Sequence, residues 1–510
     1  MVRVVHSAGL HCLSGYIVQV EADISDGMPG MELVGFLGSE VKEARERVRM
    51  AIRNSDVSLP VRRITLNLSP ANIRKYGTGF DLPMAVAILK AMECVDGELT
   101  EDAVFFGELN LSGTICAING VLPLVLCARQ AGFHKCFVPK ENANEAAIVQ
   151  DIEVYPAGSL KELIAHLNRE TMILRMKQNK EHFANEGNGD DTYDLKYVQG
   201  QPFARRGLEI AAAGLHNIIL VGEPGAGKSM LSKCLPSILP PLTLDECLEV
   251  SSIYSVAGEL RGDKSLLVNR PFVSPHHTVT DVALIGGGAY PKAGLAALAH
   301  KGVLFLDEMP EFKREALECL RQPLEDGEIR ISRNNGSFRY PADFMLVGAM
   351  NLCPCGAYPD RSRCSCTQSQ RKRYLDRLSK PLLDRIDICI EVKNLQYAQL
   401  SENIIQEDSK TVRKRVEMAK QIQFERFGEA KFNASMSREE IGQYCFLSQT
   451  GETIMERAFH KYNLSARGYY RILKVARTIA DLGNSRDIGD EHLIEALHFR
   501  YTDLLNGIGK

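Results

Sequence analysis

One eight-residue segment constrains the fold of this chain more than any other. It reads Gly-Glu-Pro-Gly-Ala-Gly-Lys-Ser over residues 222–229 and directly follows the apolar run Ile218 to Val221. Its glycines let successive backbone N–H groups converge, and a helix predicted to start near Gly227 would direct its positive end to the same point. A glycine-rich turn is the alternative interpretation. An apolar strand, this loop and a helix in that order predict a parallel α/β domain that binds the phosphates of a nucleotide.

Each residue of this phosphate loop has a predicted role. Lys228 would reach the β- and γ-phosphates of a nucleoside triphosphate, and the Ser229 hydroxyl would hold Mg²⁺. The remaining residues would form the loop around the phosphates: Gly222, Glu223, Pro224, Gly225, Ala226 and Gly227. The predicted cofactors are therefore ATP and Mg²⁺.

A second segment supports the same site. Asp307 and Glu308 follow Val303 to Leu306, a continuous apolar run that is typical of a strand buried on both faces. Ligands of a parallel sheet bind at the carboxyl ends of its strands. We expect Asp307 to bind Mg²⁺ and Glu308 to polarise the attacking water. Without the upstream loop, the two acids would be interpreted as a solvated turn.

Length and charge limit the remaining possibilities. The 510 residues exceed one ordinary core and predict three or four domains. The net charge is only −3, so local basic patches would have to hold any polyanionic partner. No apolar run approaches the roughly 18 residues of a membrane span, and Met1 to Gly15 lacks the apolar core of a signal peptide. We predict a cytoplasmic protein with no membrane partner.

The 14 cysteines do not indicate a disulfide framework, because a reducing cytosol would keep them as thiols. Most are isolated among apolar neighbours and are interpreted as small core residues. Two Cys-x-Cys pairs enclose a polar loop over 353–366: Cys353, Cys355, Cys364 and Cys366. Four thiolates so spaced can enclose one structural Zn²⁺, and reduced, metal-free loop thiols are the alternative.

The pattern of the sequence changes along the chain. Residues 1–168 alternate strand-like and helical patterns, whereas 169–197 are polar and charged, as is typical of a linker. The nucleotide motifs lie in an α/β pattern over 198–393, and 394–510 are mostly helical. We predict an α/β fold with an N-terminal domain, a central P-loop domain and a C-terminal helical domain.

Motifs spread along the chain are similar to those of one known family. They are Leu33-Val34-Gly35, Asn67-Leu68-Ser69-Pro70-Ala71, Gly79-Phe80-Asp81-Leu82-Pro83, Gly107-Glu108-Leu109, Pro275-His276-His277, Leu306-Asp307-Glu308 and Leu382-Leu383-Asp384-Arg385-Ile386-Asp387. This chain resembles the YifB/ComM proteins, which are magnesium-chelatase-like AAA+ ATPases, from Val2 to about Asn506. The resemblance implies a central AAA+ domain and a C-terminal lid domain.

The resemblance also implies roles for three more polar residues. Asn351 matches the first sensor, which would orient the water between Glu308 and the γ-phosphate. Arg385 matches the arginine finger that reaches the nucleotide of a neighbouring subunit, and Arg467 matches the second sensor. Taken alone, the two arginines would be a surface ion pair and a helix-end cation. A finger that acts on a neighbour implies a ring, by resemblance a hexamer.

Residues 328–340 predict a β-hairpin, because Asn334-Asn335-Gly336 separates two strand-like runs. Three arginines flank its tip: Arg330, Arg333 and Arg339. In the wider clade, the corresponding hairpin projects into the ring channel and touches DNA. We expect the same here, and a basic tip that merely aids solubility is the alternative.

Residues 1–168 resemble the proteolytic domain of Lon proteases, but without its chemistry. The similarity is carried by Gly107-Glu108-Leu109, Ile118-Asn119-Gly120 and Val138-Pro139-Lys140-Glu141-Asn142. Phe80 aligns with the nucleophilic serine of Lon and Leu122 with its lysine. Neither side chain can act as nucleophile or base, so we predict no peptidase activity.

Taken together, the resemblance implies a ring-forming DNA motor. It would couple ATP hydrolysis to movement along branched or single-stranded DNA and drive branch migration during DNA uptake or recombination. The alternatives are a chelatase-type motor and a protein-remodelling ATPase, both of which would act on a protein partner.

Overall fold

The computed structural model describes residues 2–177, 193–260, 266–288, 292–333, 336–394 and 406–500. Most of the predicted linker and the Asn334-Asn335 tip of the predicted hairpin lie outside these residues. The described chain forms two units, one from 1–185 with 244–267 and one from 186–243 with 268–510.

The first unit contains a mixed seven-stranded sheet. Its strands and those of a small adjoining ribbon are β1 (Arg3–His11), β2 (Ser14–Ser25), β3 (Gly30–Val34), β4 (Arg63–Ser69), β5 (Ala103–Phe105), β6 (Glu108–Leu109), β7 (Ile115–Cys116), β8 (Lys135–Pro139) and β9 (Glu153–Ala157). The order across the sheet is β3-β4-β2-β1-β5-β8-β9. Strand β2 runs antiparallel to both of its neighbours, and the other pairs are parallel.

Helices cover both faces of this sheet. They are Ser39–Asn54, Asp81–Ala91, Glu98–Glu101, Val121–Gln130, Ala143–Ala146, Leu160–Leu167 and Leu244–Ala257, with a 3₁₀ turn at Lys140–Asn142. Along β5, Ala103 and Phe105 pack into one apolar cluster and Val104 into another. This alternation places one core on each face of the sheet, because successive side chains of a strand point to opposite sides.

The helix Leu244–Ala257 belongs to the first unit although it follows the phosphate loop in sequence. Its Ser255 hydroxyl donates to the buried carboxylate of Glu145, and the N–H of Gly120 donates to the Ser255 carbonyl at 3.0 Å. The Glu145 carboxylate also accepts from the Leu122 N–H at 2.9 Å. These bonds satisfy the polar groups where the helix meets Gly120 and Glu145, so the helix is an integral part of this unit.

The second unit is built on a parallel five-stranded sheet. Its strands, with two short ribbons, are β10 (Ile218–Gly222), β11 (Phe272–Val273), β12 (Gly286–Gly287), β13 (Lys292–Ala293), β14 (Val303–Leu306), β15 (Glu328–Arg333), β16 (Gly336–Pro341), β17 (Met345–Met350) and β18 (Ile388–Val392). The order β11-β14-β17-β10-β18 places β17 between the strand before the phosphate loop and the strand before the acids. The prediction of buried strands at Ile218 to Val221 and at Val303 to Leu306 is confirmed.

Helices surround this sheet and make up the C-terminal part of the unit. They are Pro202–Gly214, Lys228–Ile238, Asp281–Ile285, Leu295–Leu298, Arg314–Cys319, Pro323–Asp326, Gln368–Leu375, Lys380–Leu383, Ser409–Phe427, Arg438–Tyr444, Gln449–Tyr462, Ala466–Leu482 and Asp490–Arg500, with 3₁₀ turns at Leu195–Tyr197, Met309–Glu311 and Asn433–Ser435. The predicted α/β class is confirmed, and the division at 168, 197 and 393 stays a prediction. Among the described residues, no helix has the length and apolarity that crossing a bilayer requires.

Candidate functional site

The phosphate loop connects the end of β10 to the helix Lys228–Ile238. Gly225 and Gly227 have φ angles of 80° and 92°, a left-handed backbone that favours glycine. Gly222 is needed for a different reason, since a Cβ there would lie 2.1 Å from the carbonyl oxygen of Val392. The three glycines therefore permit both the turn of the loop and its close approach to β18.

Lys228 lies at the centre of the site and is only 9 % exposed. Its Nζ donates to the carbonyl oxygens of Gly222 at 2.9 Å and Glu223 at 2.8 Å, and to Oδ1 of Asn351 at 2.9 Å. Burial lowers the pKa of the ammonium, while the nearby acids, Asp307 first among them, oppose that shift. The lysine is thus held in place inside the loop, where a phosphate would replace its weaker neutral acceptors.

Ser229 and Asp307 form the oxygen pair expected for Mg²⁺. The hydroxyl of Ser229 donates to Oδ2 of Asp307 at 2.7 Å, and Oδ1 of Asp307 accepts the Glu308 N–H at 2.9 Å. Hydroxyl and carboxylate oxygens are ligands that Mg²⁺ prefers, so these residues fit that ion. When bound, Mg²⁺ would neutralise charge on the phosphates.

Glu308 follows β14 with a left-handed backbone, φ 50°, although it carries a side chain. Such a conformation costs free energy and is concentrated at functional sites. Its carboxylate is 60 % exposed, and its Oε2 lies 3.9 Å from Nδ1 of His277. Glu308 is therefore available to a water at the edge of the sheet, next to a histidine.

Sequence reasoning did not place His277 beside Glu308. The sequence marked the His276-His277 pair only as part of a family motif, and the structure places the two rings 4.1 Å apart. The residues reach the acid because β11, which precedes them, is hydrogen-bonded to β14. The signal available in the sequence was an apolar pair, Phe272-Val273, too short to predict a strand beside β14.

Arg385 and Arg467 come together, but at a carboxylate and not through a contact with the phosphate loop. Arg385 is buried and forms an ion pair with Glu325, and its Nη1 donates to the Pro381 carbonyl at 2.7 Å. Nη2 of Arg467, at the start of the helix Ala466–Leu482, lies 3.5 Å from Oε1 of the same Glu325. The two residues singled out as finger and second sensor thus share one acidic partner.

The four cysteines of 353–366 converge in space. Sγ of Cys353 lies 3.3 Å from that of Cys355 and 3.8 Å from that of Cys364, and the Cys355 and Cys364 sulfurs are 3.6 Å apart. All four ligand atoms, including that of Cys366, lie within 4.8 Å of one another. Zn–S bonds of about 2.3 Å at tetrahedral angles place two sulfurs about 3.8 Å apart. The group fits a Zn²⁺ ion.

Backbone N–H groups support the sulfurs of this group. The N–H of Tyr358 donates to Sγ of Cys353 at 3.4 Å. The Ala357 N–H, followed by the neighbouring thiols, lowers the pKa of Cys355 to about 6. At Cys353 burial nevertheless raises the pKa to about 12, against the Tyr358 bond, so Cys355 is the sulfur that this environment favours as a thiolate, the form that binds metal.

The predicted hairpin is confirmed, with β15 and β16 paired antiparallel from Glu328↔Pro341 to Arg333↔Gly336. One face of the hairpin is buried at Ile331 and Phe338, and the other is exposed at Arg330 and Arg339. Arg333 has the register of the buried face but is exposed, at the end of β15. Arg330 and Arg339 lie directly opposite each other across the strands. Arg330 forms an ion pair with Glu328 of the same strand, so the exposed face keeps a net positive charge at Arg339 and Arg330 that an anionic partner would neutralise.

The phosphate loop follows β10, the two acids follow β14, and Asn351 follows β17, which lies between those strands. This arrangement on a parallel sheet defines a P-loop ATPase of the AAA+ class. Family models agree: "Magnesium chelatase, subunit ChlI" matches residues 194–400, "Subunit ChlI of Mg-chelatase" matches 20–142, and "Magnesium chelatase, subunit ChlI C-terminal" matches 406–500.

Full-length relatives narrow the family. The competence protein ComM of Haemophilus influenzae is 43 % identical over 500 residues, which cover 98 % of this chain and 97 % of that protein. YifB of Escherichia coli is 39 % identical over 503 residues, with 98 % and 97 % covered. A Lon protease of Finegoldia magna is 28 % identical over 175 residues, 32 % of this chain and 22 % of the protease. The chain belongs to the YifB/ComM family of magnesium-chelatase-like AAA+ ATPases.

Proposed function

We propose that this protein is a DNA motor that forms a ring and uses ATP hydrolysis to drive branch migration of recombination intermediates. The observation that carries the proposal is the row of exposed arginines on the hairpin, with Arg330 paired directly against Arg339. A phosphate backbone would neutralise the positive charge that Arg330 and Arg339 place on one face, beyond the part that Glu328 compensates. The similarity to a relative named competence protein agrees with a role in DNA uptake or recombination.

In the proposed motor, Lys228, Ser229 and Asp307 hold the triphosphate and its Mg²⁺, and Glu308 and Asn351 position the attacking water. Lys228 and Asn351 are joined by a hydrogen bond of 2.9 Å, which supports their joint action at one phosphate. Because little covalent chemistry is required of the protein in phosphoryl transfer, this positioning and the associated positive charge supply most of the rate.

The ring is proposed from the two arginines. The Nε of Arg385 is buried and has no hydrogen-bond partner among the described residues, so the guanidinium is only partly satisfied within its own chain. To act as a finger, Arg385 would exchange its ion pair with Glu325 for the phosphate of a neighbouring subunit's nucleotide. Since Arg467 contacts the same Glu325, we expect both arginines to reach the same nucleotide, in a hexamer.

We further propose that Cys353, Cys355, Cys364 and Cys366 hold one structural Zn²⁺ per chain, on the geometry of their sulfurs. Four thiolates leave no open position on the ion, so the site is structural and not catalytic. Elemental analysis of the purified protein tests this directly. Reduced thiols with no bound metal would contradict it.

The function is tested by measuring ATP turnover and strand exchange on single-stranded, forked and four-way DNA, with Lys228→Ala as the inactive control. We expect DNA to stimulate turnover, with a steep dependence on salt, and branch migration to require ATP. Turnover stimulated only by a protein partner would instead support the remodelling or chelatase-type motor. An absence of ATP turnover with or without DNA would overturn the proposed motor.

A further inference from the structure

The Cys₄ loop, residues 353–366, starts two positions after Asn351 and reaches back to the phosphate loop. Three contacts connect the two loops or the residues beside them. Each contact involves a residue within two positions of one of the four cysteines. The geometry of the sulfurs is therefore coupled to the geometry of the nucleotide site.

The first contact is apolar. Gly356, which directly follows Cys355, packs so closely on Pro224 that a Cβ would lie 2.4 Å from Cγ and 2.6 Å from Cδ of the proline ring. Gly356 has a left-handed φ of 79°, and its N–H donates to the Cys353 carbonyl at 3.0 Å. Any rearrangement of the turn between Cys353 and Cys355 would thus displace the surface against which Pro224 rests.

The second contact is ionic. Nη1 of Arg363, next to Cys364, lies 3.5 Å from Oε2 of Glu223 in the phosphate loop. Glu223 also accepts from Nδ2 of Asn394 at 2.6 Å, and its carbonyl oxygen accepts from Lys228 at 2.8 Å. Glu223 is therefore held by its side chain while its backbone positions the lysine.

The third contact joins Lys228 of the phosphate loop to Asn351 at the end of β17. Asn351 accepts from Lys228, and Cys353, two residues further, is fully buried. A metal that anchors Cys353 would limit the movement of the short segment from which Asn351 projects.

We propose that the Cys₄ metal centre is a brace for ATP binding: Zn²⁺ holds Gly356 and Arg363 against Pro224 and Glu223, and so sets the affinity of the phosphate loop for nucleotide. Arg363 is a positioning residue in this scheme, because it acts through Glu223. The inference rests on the Zn²⁺ proposed above. It does not depend on DNA, because the brace acts on nucleotide binding before any polymer is engaged.

The test uses the full chain and a fluorescent ATP analogue, with Zn²⁺ content measured on the same samples. Removing the metal with a thiol-modifying reagent and chelator, then reversing the modification without metal, should weaken nucleotide binding by about 10- to 100-fold. Re-adding Zn²⁺ should restore binding, whereas Mg²⁺ alone should not. Metal-free protein with unchanged nucleotide affinity would overturn the brace.

Variants separate the brace from general misfolding. Cys364→Ser with Cys366→Ser should reproduce the metal-free state, and Cys319→Ser, a thiol of the same unit outside the group, should bind Zn²⁺ and nucleotide normally. Arg363→Ala should keep its Zn²⁺ and still bind nucleotide several-fold more weakly, by about the strength of one ion pair. Arg361→Ala, an exposed arginine of the same loop, is its control.

A double-mutant cycle of Arg363→Ala with Glu223→Gln gives the decisive readout, because coupled residues show non-additive effects on nucleotide affinity. Additive effects would show that the contact between Arg363 and Glu223 does not set the nucleotide affinity. Failure of the brace and of the motor remain distinguishable. Zinc-independent nucleotide binding with DNA-stimulated turnover overturns only the brace, and zinc-dependent binding without any effect of DNA overturns only the motor.

Discussion

The two α/β units of this protein differ in the side chains that they carry where catalytic residues are expected. In the second unit, polar residues gather at the ends of neighbouring strands: Lys228 donates to Asn351, and Ser229 donates to Asp307. In the first unit, Phe80 and Leu122, which we expect to match the nucleophile and base of Lon, are 3 % and 0 % exposed. Two different α/β sheets thus present polar side chains in one unit and buried apolar side chains in the other, and function depends on the side chains grafted on a fold.

The polar residue next to Phe80 is also committed to structure. Asp81, at the start of the helix Asp81–Ala91, accepts from Nε and Nη2 of Arg47 at 2.7 and 3.0 Å and from the Leu109 N–H at 3.2 Å. A buried carboxylate with these three donors stabilises the unit and has little capacity left for a substrate.

The largest expected effect is that of Arg385→Ala in the second unit. We expect turnover to fall by about 10³- to 10⁵-fold while nucleotide binding persists, because the finger acts in the transition state of a neighbour. Measuring kcat and ATP affinity separately checks this. Mixing Arg385→Ala with Lys228→Ala subunits should restore part of the activity, since each supplies what the other lacks at their shared interface. Full activity of Arg385→Ala by itself would contradict both the role and the ring.

Phe80→Ala tests whether the first unit contributes to stability and not to ATP turnover. Truncating a buried phenylalanine costs about 3–5 kcal/mol of unfolding free energy, so the first thermal transition of the full chain should move to lower temperature. ATP turnover per folded molecule should remain within about twofold below that transition. Loss of turnover without loss of stability would show that the first unit contributes to chemistry.

The hairpin variant Arg330→Ala with Arg339→Ala should weaken DNA binding and reduce the slope of log affinity against log salt by about 2, one unit for each lost phosphate contact. Stability should change little, because the variant removes two like charges that face each other but also the exposed ion pair of Arg330 with Glu328. Ser332→Ala with Ser337→Ala alters another directly opposed pair of exposed residues and is the matched control. An unchanged salt slope in the arginine variant would argue that DNA binds elsewhere.

His277→Ala should have the smallest effect. An exposed polar contact of this kind is worth up to about 1 kcal/mol, which corresponds to roughly a fivefold loss of kcat if the histidine orients Glu308. Turnover of His276→Ala, whose Nδ1 is engaged with the Thr278 hydroxyl at 2.9 Å, provides the comparison. Equal effects of the two variants would favour a shared packing role.

Much of the nucleotide site could be predicted because its signals are local. A buried strand, a glycine loop and a helix follow one another over 218–238, and the apolar run before Asp307 needs no distant partner to be recognised. The hairpin was predictable for the same reason. The grouping of the helix Leu244–Ala257 with the first unit was not, because the hydrogen bond of Ser255 to Glu145 joins residues 110 positions apart.

The sequence by itself determined which residues can do chemistry: a phosphate loop, an acidic strand end and four closely spaced thiols are recognisable from residue type and spacing. Only the tertiary structure decided which of them meet. It placed β17 between β14 and β10, His277 beside Glu308, Arg385 and Arg467 on one carboxylate, and the Cys₄ loop against Pro224. The physical reason is that these contacts join segments distant along the chain, and packing of the whole sheet and its loops selects them, not local backbone preference.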